Sequence, residues 1–293
     1  MADYVWFITA TSSGFGKAIA LEALSRGHKV IATARQSSKL VELREAGAAV
    51  MDLDVTSDDD TLAAKLAEAN AIYGKITHVA NCAGYILEGT VEEASSKEVF
   101  DVYNTNVLGT FNIARAATPY LRTAAAAGHH TALATFGSVG SWRSGAAVAH
   151  YCSTKWAVSG MTEGLADELR PFGINVCVVE PGYTRTGFLV TGTAGQADHR
   201  IRTAKTLPVY HNTTAAEIRG AMDAYDGNQP GDVDKSAKVI VDVLTQDGVA
   251  KGKQVPVRLV LGSDCLDTVR QKCEETLKLL KEWEDVSRST MAD

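Results

Sequence analysis

The chain has 293 residues, 45% of them hydrophobic, which is ample for a buried core and suits one large α/β domain or two small ones. A formal charge of −6, with Lys and Arg scattered rather than clustered, argues against nucleic-acid binding, so an anionic ligand would have to be held by local groups. Cys82, Cys152, Cys177, Cys265 and Cys273 are odd in number and form no Cys-x-x-Cys pair, which speaks against a disulfide framework or a zinc or redox site and for a reduced, cytoplasmic setting without a metal.

The N-terminus enters an apolar run at Val5 without a basic signal-like region. No apolar stretch approaches the roughly 20 residues that span a bilayer, so no membrane partner is expected. Short apolar runs then alternate with segments of helical period, the sequence form of repeated βαβ units. Strands are predicted at 5–9, 29–34, 49–53, 77–81, 131–136, 174–179 and 256–261. Between them fall helices at 15–26, 38–46, 58–73, a long region 96–126, 150–169, 233–245 and 264–284. Gly27 stands as a C-cap and Pro171 as a helix stop. The expected fold is a Rossmann-type doubly wound parallel sheet of about seven strands with helices on both faces, in a single domain spanning 1–293. Residues 187–231 break the rhythm, with one short helical candidate near 214–225, and read as a lid or a binding loop.

The chemistry-bearing residues fall at strand ends. Thr9 closes the first strand, and Ser12, Ser13, Gly14, Phe15 and Gly16 form the turn into the first helix. Glycine there lets the backbone approach a diphosphate, and the helix N-terminus supplies free N–H groups; an ordinary tight turn has the same look. After the second strand Arg35, with Ser37 and Lys39 close by, stands where a carboxylate would select a free ribose hydroxyl, which favours NADP(H) over NAD(H). Asp54 and Val55 after the third strand, and Asn81, Ala83 and Gly84 after the fourth, lie where such sheets bind an adenosine, or serve as turn residues.

Tyr151 and Lys155 form the chain's one Tyr-x-x-x-Lys spacing and share a helix face. A fixed ammonium lowers the pKa of a neighbouring phenol and makes it a usable acid–base, while Ser138 after the fifth strand is placed to bond the same substrate oxygen. Asn106, a poor helix former inside a helical region, is a candidate to hold a water beside Lys155; Asn104 is its rival, and a simple kink the plain alternative. Trp142, Tyr183 and Phe188 are expected to line a hydrophobic substrate pocket, with Arg143 and His150 as further candidates; His150 fits equally a helix-start role.

Across residues 4–262 these motifs resemble the short-chain dehydrogenase/reductase family. Thr9, Gly14 and Gly16 match its glycine loop, Asn81, Ala83 and Gly84 its Asn-Asn-Ala-Gly turn, and Asn106, Ser138, Tyr151 and Lys155 its catalytic tetrad. Pro181, Gly182, Thr184 and Thr186 match its Pro-Gly-x-x-x-Thr run, which by resemblance contacts the nicotinamide carboxamide. Ala10 and Cys82 depart from the pattern, standing where the family has Gly and Asn. The resemblance implies NADPH-dependent reduction of a ketone or aldehyde, or the reverse alcohol oxidation, by a homo-dimer or homo-tetramer. The alternatives are a non-catalytic NADP(H)-binding redox sensor and a sugar-nucleotide epimerase or dehydratase.

Overall fold

The computed structural model describes residues 3–191 and 199–292. In chain order the elements are β1 (Val5–Ile8), α1 (Gly14–Ser25), β2 (Lys29–Ala34), α2 (Val41–Glu45), β3 (Ala49–Asp52), α3 (Asp59–Tyr73), β4 (His78–Asn81), β5 (Ile86–Glu88), α4 (Ser96–Tyr103), α5 (Thr110–Ala126), β6 (Thr131–Phe136), α6 (Ala149–Leu169) and β7 (Ile174–Pro181). They continue as β8 (Thr184–Arg185), β9 (Arg200–Arg202), α7 (Thr214–Tyr225), β10 (Gly231–Asp232), α8 (Val233–Thr245), β11 (Arg258–Leu261), α9 (Ser263–Glu282) and α10 (Glu284–Arg288).

Seven strands form one parallel sheet in the order β11-β7-β6-β4-β1-β2-β3. Strand alternation explains why both faces are covered. Trp6 and Ile8 pack with Val30, Ala32, Ala80 and Val179 against α1 and α8, while Val5 and Phe7 pack with Ile31, Val79, Leu133 and Val176 against α3 and α5. The chain reverses its winding between β1 and β4, so the crevice beyond their C-terminal ends is the place where such a sheet can receive a ligand. The glycine turn, Ser138 and the Pro-Gly loop follow strands that end at that edge.

The long helical region between β5 and β6 is not one regular helix. α4 begins with a reciprocal capping box between Ser95 and Glu98, and a π-helical segment, Asn104–Gly109, joins it to α5. The 187–231 region contains α7 and short strands that sequence period did not reveal: β9 pairs with β5, and β10 with β8. Residues 192–198 of the expected lid lie outside the described residues. No helix among the described residues is long and apolar enough to cross a membrane.

At the opposite edge of the sheet His78 is fully buried, stacked on Trp6 with ring centroids 4.5 Å apart, its Nε2 3.1 Å from Leu244 O. Burial and the neighbouring His130 push its pKa from 6.5 down to about 3. Below pH 6.5 the unfolded chain therefore takes a proton that the native state refuses, and stability falls as pH drops through that window. At pH 5 this one group is expected to cost about 2 kcal/mol relative to pH 7. Urea unfolding of the wild type and of His78→Phe at both pH values checks it: the variant should lose less stability on acidification than the wild type.

Candidate active site

The glycine turn is built around a backbone that L residues rarely adopt. Gly14 has φ +54°, and a Cβ on Gly16 would lie 2.6 Å from Ala10 O, so only glycine fits where α1 begins. Ser13 is the N-cap of α1 but its side chain caps nothing, which leaves the first helical N–H groups directed to the crevice. Its hydroxyl instead lies 2.9 Å from His199 Nε2. Ala10, the residue that departs from the family pattern, holds φ +53°, a left-handed conformation that costs an alanine about 1–2 kcal/mol.

Thr9 and Asn81 do not line the cavity. Thr9 Oγ1 donates to Asn81 Oδ1 at 2.9 Å and accepts from Cys82 N and Ala83 N, while Asn81 Nδ2 donates to Thr110 O at 2.6 Å. They fasten the ends of β1 and β4 and thereby set the loops around the site. Asp54 is exposed and accepts from Thr56 N at 2.9 Å, a local turn, and Val55 is buried in the core. Ser12 and Arg35 are both exposed, Arg35 at the end of β2.

Tyr151, Lys155 and Ser138 do meet. They line one cavity of about 440 Å³ with Gly14, Phe15 and Gly16 on one side and Pro181, Gly182, Thr184 and Thr186 on another. Ser138 Oγ accepts from Gly140 N at 3.1 Å, and the Ser138 hydroxyl acts on the Tyr151 phenol so as to lower its pKa against the effect of burial. Lys155 Nζ donates to Phe136 O at 2.8 Å and lies 5.7 Å from the centroid of the Tyr151 ring. Burial depresses the lysine pKa from 10.5 to about 8, so it remains mostly an ammonium at pH 7.

Tyr151 behaves differently from the sequence expectation. Burial is the largest influence and raises its pKa; the Ser138 hydrogen bond lowers it only in part. The phenol is therefore neutral at pH 7, the form that donates a proton. The Lys155 ammonium, which donates to Phe136 O, is not what sets the phenol's state; burial is.

Asn106 sits in the π-helical segment and is fully engaged: Oδ1 accepts from Tyr85 N at 3.0 Å, and Nδ2 donates to Tyr85 O at 2.9 Å and to Thr154 Oγ1 at 3.1 Å. It borders the Lys155 pocket, since a Cβ on Gly84 would lie 3.2 Å from Asn106 Oδ1 and 3.6 Å from Lys155 Nζ. It is a positioning residue here, because its amide contacts backbone and Thr154, not the cavity.

Tyr183 and Phe188 line the cavity, and the Phe188 and Tyr151 ring centroids are 6.1 Å apart. Trp142 does not, and that expectation is corrected. Its Nε1 donates to buried Glu180 Oε2 at 2.8 Å and the Arg258 guanidinium covers its ring at 4.5 Å, so the indole buttresses the loop from behind. His150 is turned away toward Val91, Phe100 and Tyr103. Arg143 is exposed at the cavity rim.

Several contributors were invisible in the sequence. Asp264, at the start of α9, accepts from Tyr183 N at 2.7 Å, and its carboxylate fills the space where a Cβ on Gly182 would be, 2.1 Å away. The C-terminal helix thus fixes the Pro-Gly loop, a long-range contact with no local signal. Leu189, Ile218, Met222 and Gln229 from the 187–231 region also line the cavity.

The strained alanine gives a direct test. Ala10→Gly relieves the left-handed backbone but makes the unfolded chain freer, so a net gain of about 0.5–1 kcal/mol in unfolding free energy is expected. Urea denaturation measures it; a variant less stable than the wild type would show that the Ala10 methyl is a packing group.

Residues 4–196 match the short chain dehydrogenase family. Oxidoreductase BOA17 of Botryotinia fuckeliana is 30% identical over 288 residues, 97% of each chain. A solved short-chain dehydrogenase from Streptomyces avermitilis superposes with a TM-score of 0.85 at 33% identity, covering 99% of this chain and 100% of that one. A Burkholderia phymatum short chain dehydrogenase/reductase, solved in complex with NAD, shares the fold with a TM-score of 0.76 at 21% identity, over 100% of this chain and 98% of its own. By its sequence, its sheet order and this family match, the chain belongs to the short-chain dehydrogenase/reductase family of oxidoreductases.

Proposed function

We propose that the protein is an NADPH-dependent carbonyl reductase, reversible as an alcohol dehydrogenase, acting on a hydrophobic ketone or aldehyde with Tyr151 as the acid. The observation that carries the reading is the meeting of a neutral phenol, a serine hydroxyl and a buried ammonium in one cavity with the glycine turn. The residues fit a dinucleotide. α1 starts without a side-chain cap, Gly16 lets the turn close tightly on Ala10 O, and the free helical N–H groups suit a diphosphate. When bound, the reduced nicotinamide supplies a hydride to the carbonyl carbon.

The chain's own groups supply the rest. Ser138 Oγ bonds the substrate oxygen and steadies the negative charge that develops on it. Tyr151 delivers its proton to that oxygen, completing the alcohol, and the Lys155 ammonium stabilises the phenolate left behind until it is reprotonated. Alcohol oxidation runs the same transfers backwards. Ile86, Val148, Phe188, Leu189, Ile218 and Met222 give the cavity apolar walls, which support a hydrophobic substrate.

For the cofactor, support comes from Arg35, exposed at the end of β2 with a planar fork of donors that matches a 2′-phosphate. The carboxylate at the end of β3, Asp52, is occupied by Ser37 N at 2.6 Å.

Tyr151→Phe removes the transferable proton and leaves the ring. Turnover of a panel of hydrophobic ketones is expected to fall on the order of 1000-fold while NADPH, titrated by its fluorescence, still binds. Undiminished turnover by a variant that binds NADPH would sink the mechanism. Arg35→Asp is expected to lower kcat/KM for NADPH by about 100-fold, with a far smaller effect on NADH, since it replaces attraction for a phosphate by repulsion. Equal effects on the two cofactors would count against the NADP preference.

A further inference from the structure

Gln229 ends the segment that follows α7, and its backbone is tied down on every side. Its carbonyl accepts from Arg185 Nη2 at 3.1 Å, Pro230 follows it, and Gly231 N donates to Tyr183 O at 3.0 Å as β10 pairs with β8. The side chain is 1% exposed and borders the cavity beside Ile218 and Met222 of α7. Among the described residues, neither its Oε1 nor its Nε2 has a hydrogen-bond partner. A buried amide with both ends unpaired is costly, and such a group in a native protein calls for a partner. Apolar Leu189, Ile218 and Met222 line the cavity together with Gln229 and offer its amide no hydrogen bond.

We infer that Gln229 is a specificity-determining residue: its amide recognises a neutral group that both donates and accepts a hydrogen bond, such as a hydroxyl, carried on the part of the substrate that lies against α7. This deepens the reductase reading and rests on it for the identity of the substrate as a carbonyl compound. The substrate class is a mainly apolar ketone with a second, uncharged polar function. A charged carboxylate would satisfy only the donor half of the amide and leave Oε1 unpaired. A site built around such a group discriminates strongly against the analogue that lacks it, because the amide is then left buried and alone.

The test uses methyl ketones of increasing chain length and their terminally hydroxylated counterparts, with the full chain loaded with NADPH for turnover and with NADP⁺ for calorimetric binding. At one chain length the hydroxyl is expected to raise kcat/KM and affinity by on the order of 100-fold in the wild type, and Gln229→Leu should abolish that gain, so that the hydroxylated ketone is used no better than the plain one by the same variant. Gln229→Leu should also melt higher, since an unpaired amide has been replaced by an apolar side chain, so loss of the gain cannot be put down to misfolding. No gain from the hydroxyl at any length, a gain that survives in Gln229→Leu, or a changed NADPH affinity in that variant would overturn the proposal. Hydroxyl-dependent binding without turnover of any ketone would uphold the subsite and refute the reductase reading.

Discussion

The site depends on how a parallel sheet closes its own splayed edge. Where β1 and β4 part company, backbone N–H groups of the following loops have no strand to pair with, and Thr9 supplies the missing acceptor to Cys82 N and Ala83 N. From there hydrogen bonds run to α6, the helix that carries Tyr151 and Lys155. Thr9 donates to Asn81, Asn81 to Thr110 O, Thr110 Oγ1 to Asn106 O, Asn106 to Thr154 Oγ1, and Thr154 Oγ1 to Tyr151 O at 2.6 Å. The π-helical segment is what brings Asn106 into this chain, because a regular helix would rotate the following residues to other faces. The end of β1, where the glycine turn begins, and Tyr151 are therefore held in register by one buried polar network rather than by apolar packing alone, which gives such a network its positional value.

The cavity's other wall is secured by charge. β5 and β9 pair as Ile86 with Arg200 and Glu88 with Arg202, and Arg200, 1% exposed, bonds Glu88 and Asp223. Arg219 of α7 joins Glu93, whose pKa backbone and arginine contacts hold at about 2 despite burial. Buried ion pairs contribute little net stability, yet a slipped register would strand these charges, so they specify how β9 and α7 sit against β5. Phe188 against Tyr151, and His199 against both Phe188 and Ser13, connect that region to the acid and to the glycine turn.

What could be read from the sequence follows from the range of each signal. The seven strands of the main sheet were legible because burial on both faces produces continuous apolar runs, and Tyr151, Lys155 and Ser138 because a helix period and a strand end place them together. β8, β9 and β10 were not, since two or three residues carry no period. Trp142 looked like a pocket aromatic from its position after Ser138, but Glu180, 38 residues away, claims its indole N–H. Asp264 and Gln229 matter only through contacts that the fold creates, so no local pattern announces them.

The direction of the Tyr151 shift follows the same logic. Sequence shows an ammonium four residues away and suggests a lowered pKa, but it does not show depth, and depth acts on both groups at once. Burial favours the neutral phenol and the neutral amine, so each resists the charge state that the other would induce. Lys155 keeps its charge near neutral pH because burial lowers its pKa only to about 8, and its ammonium donates to Phe136 O at 2.8 Å with Gly84 and Asn106 close by. A phenol kept protonated beside an ammonium kept charged can give up its proton when negative charge arises on a neighbouring oxygen, and the proposed carbonyl reduction would create such a charge.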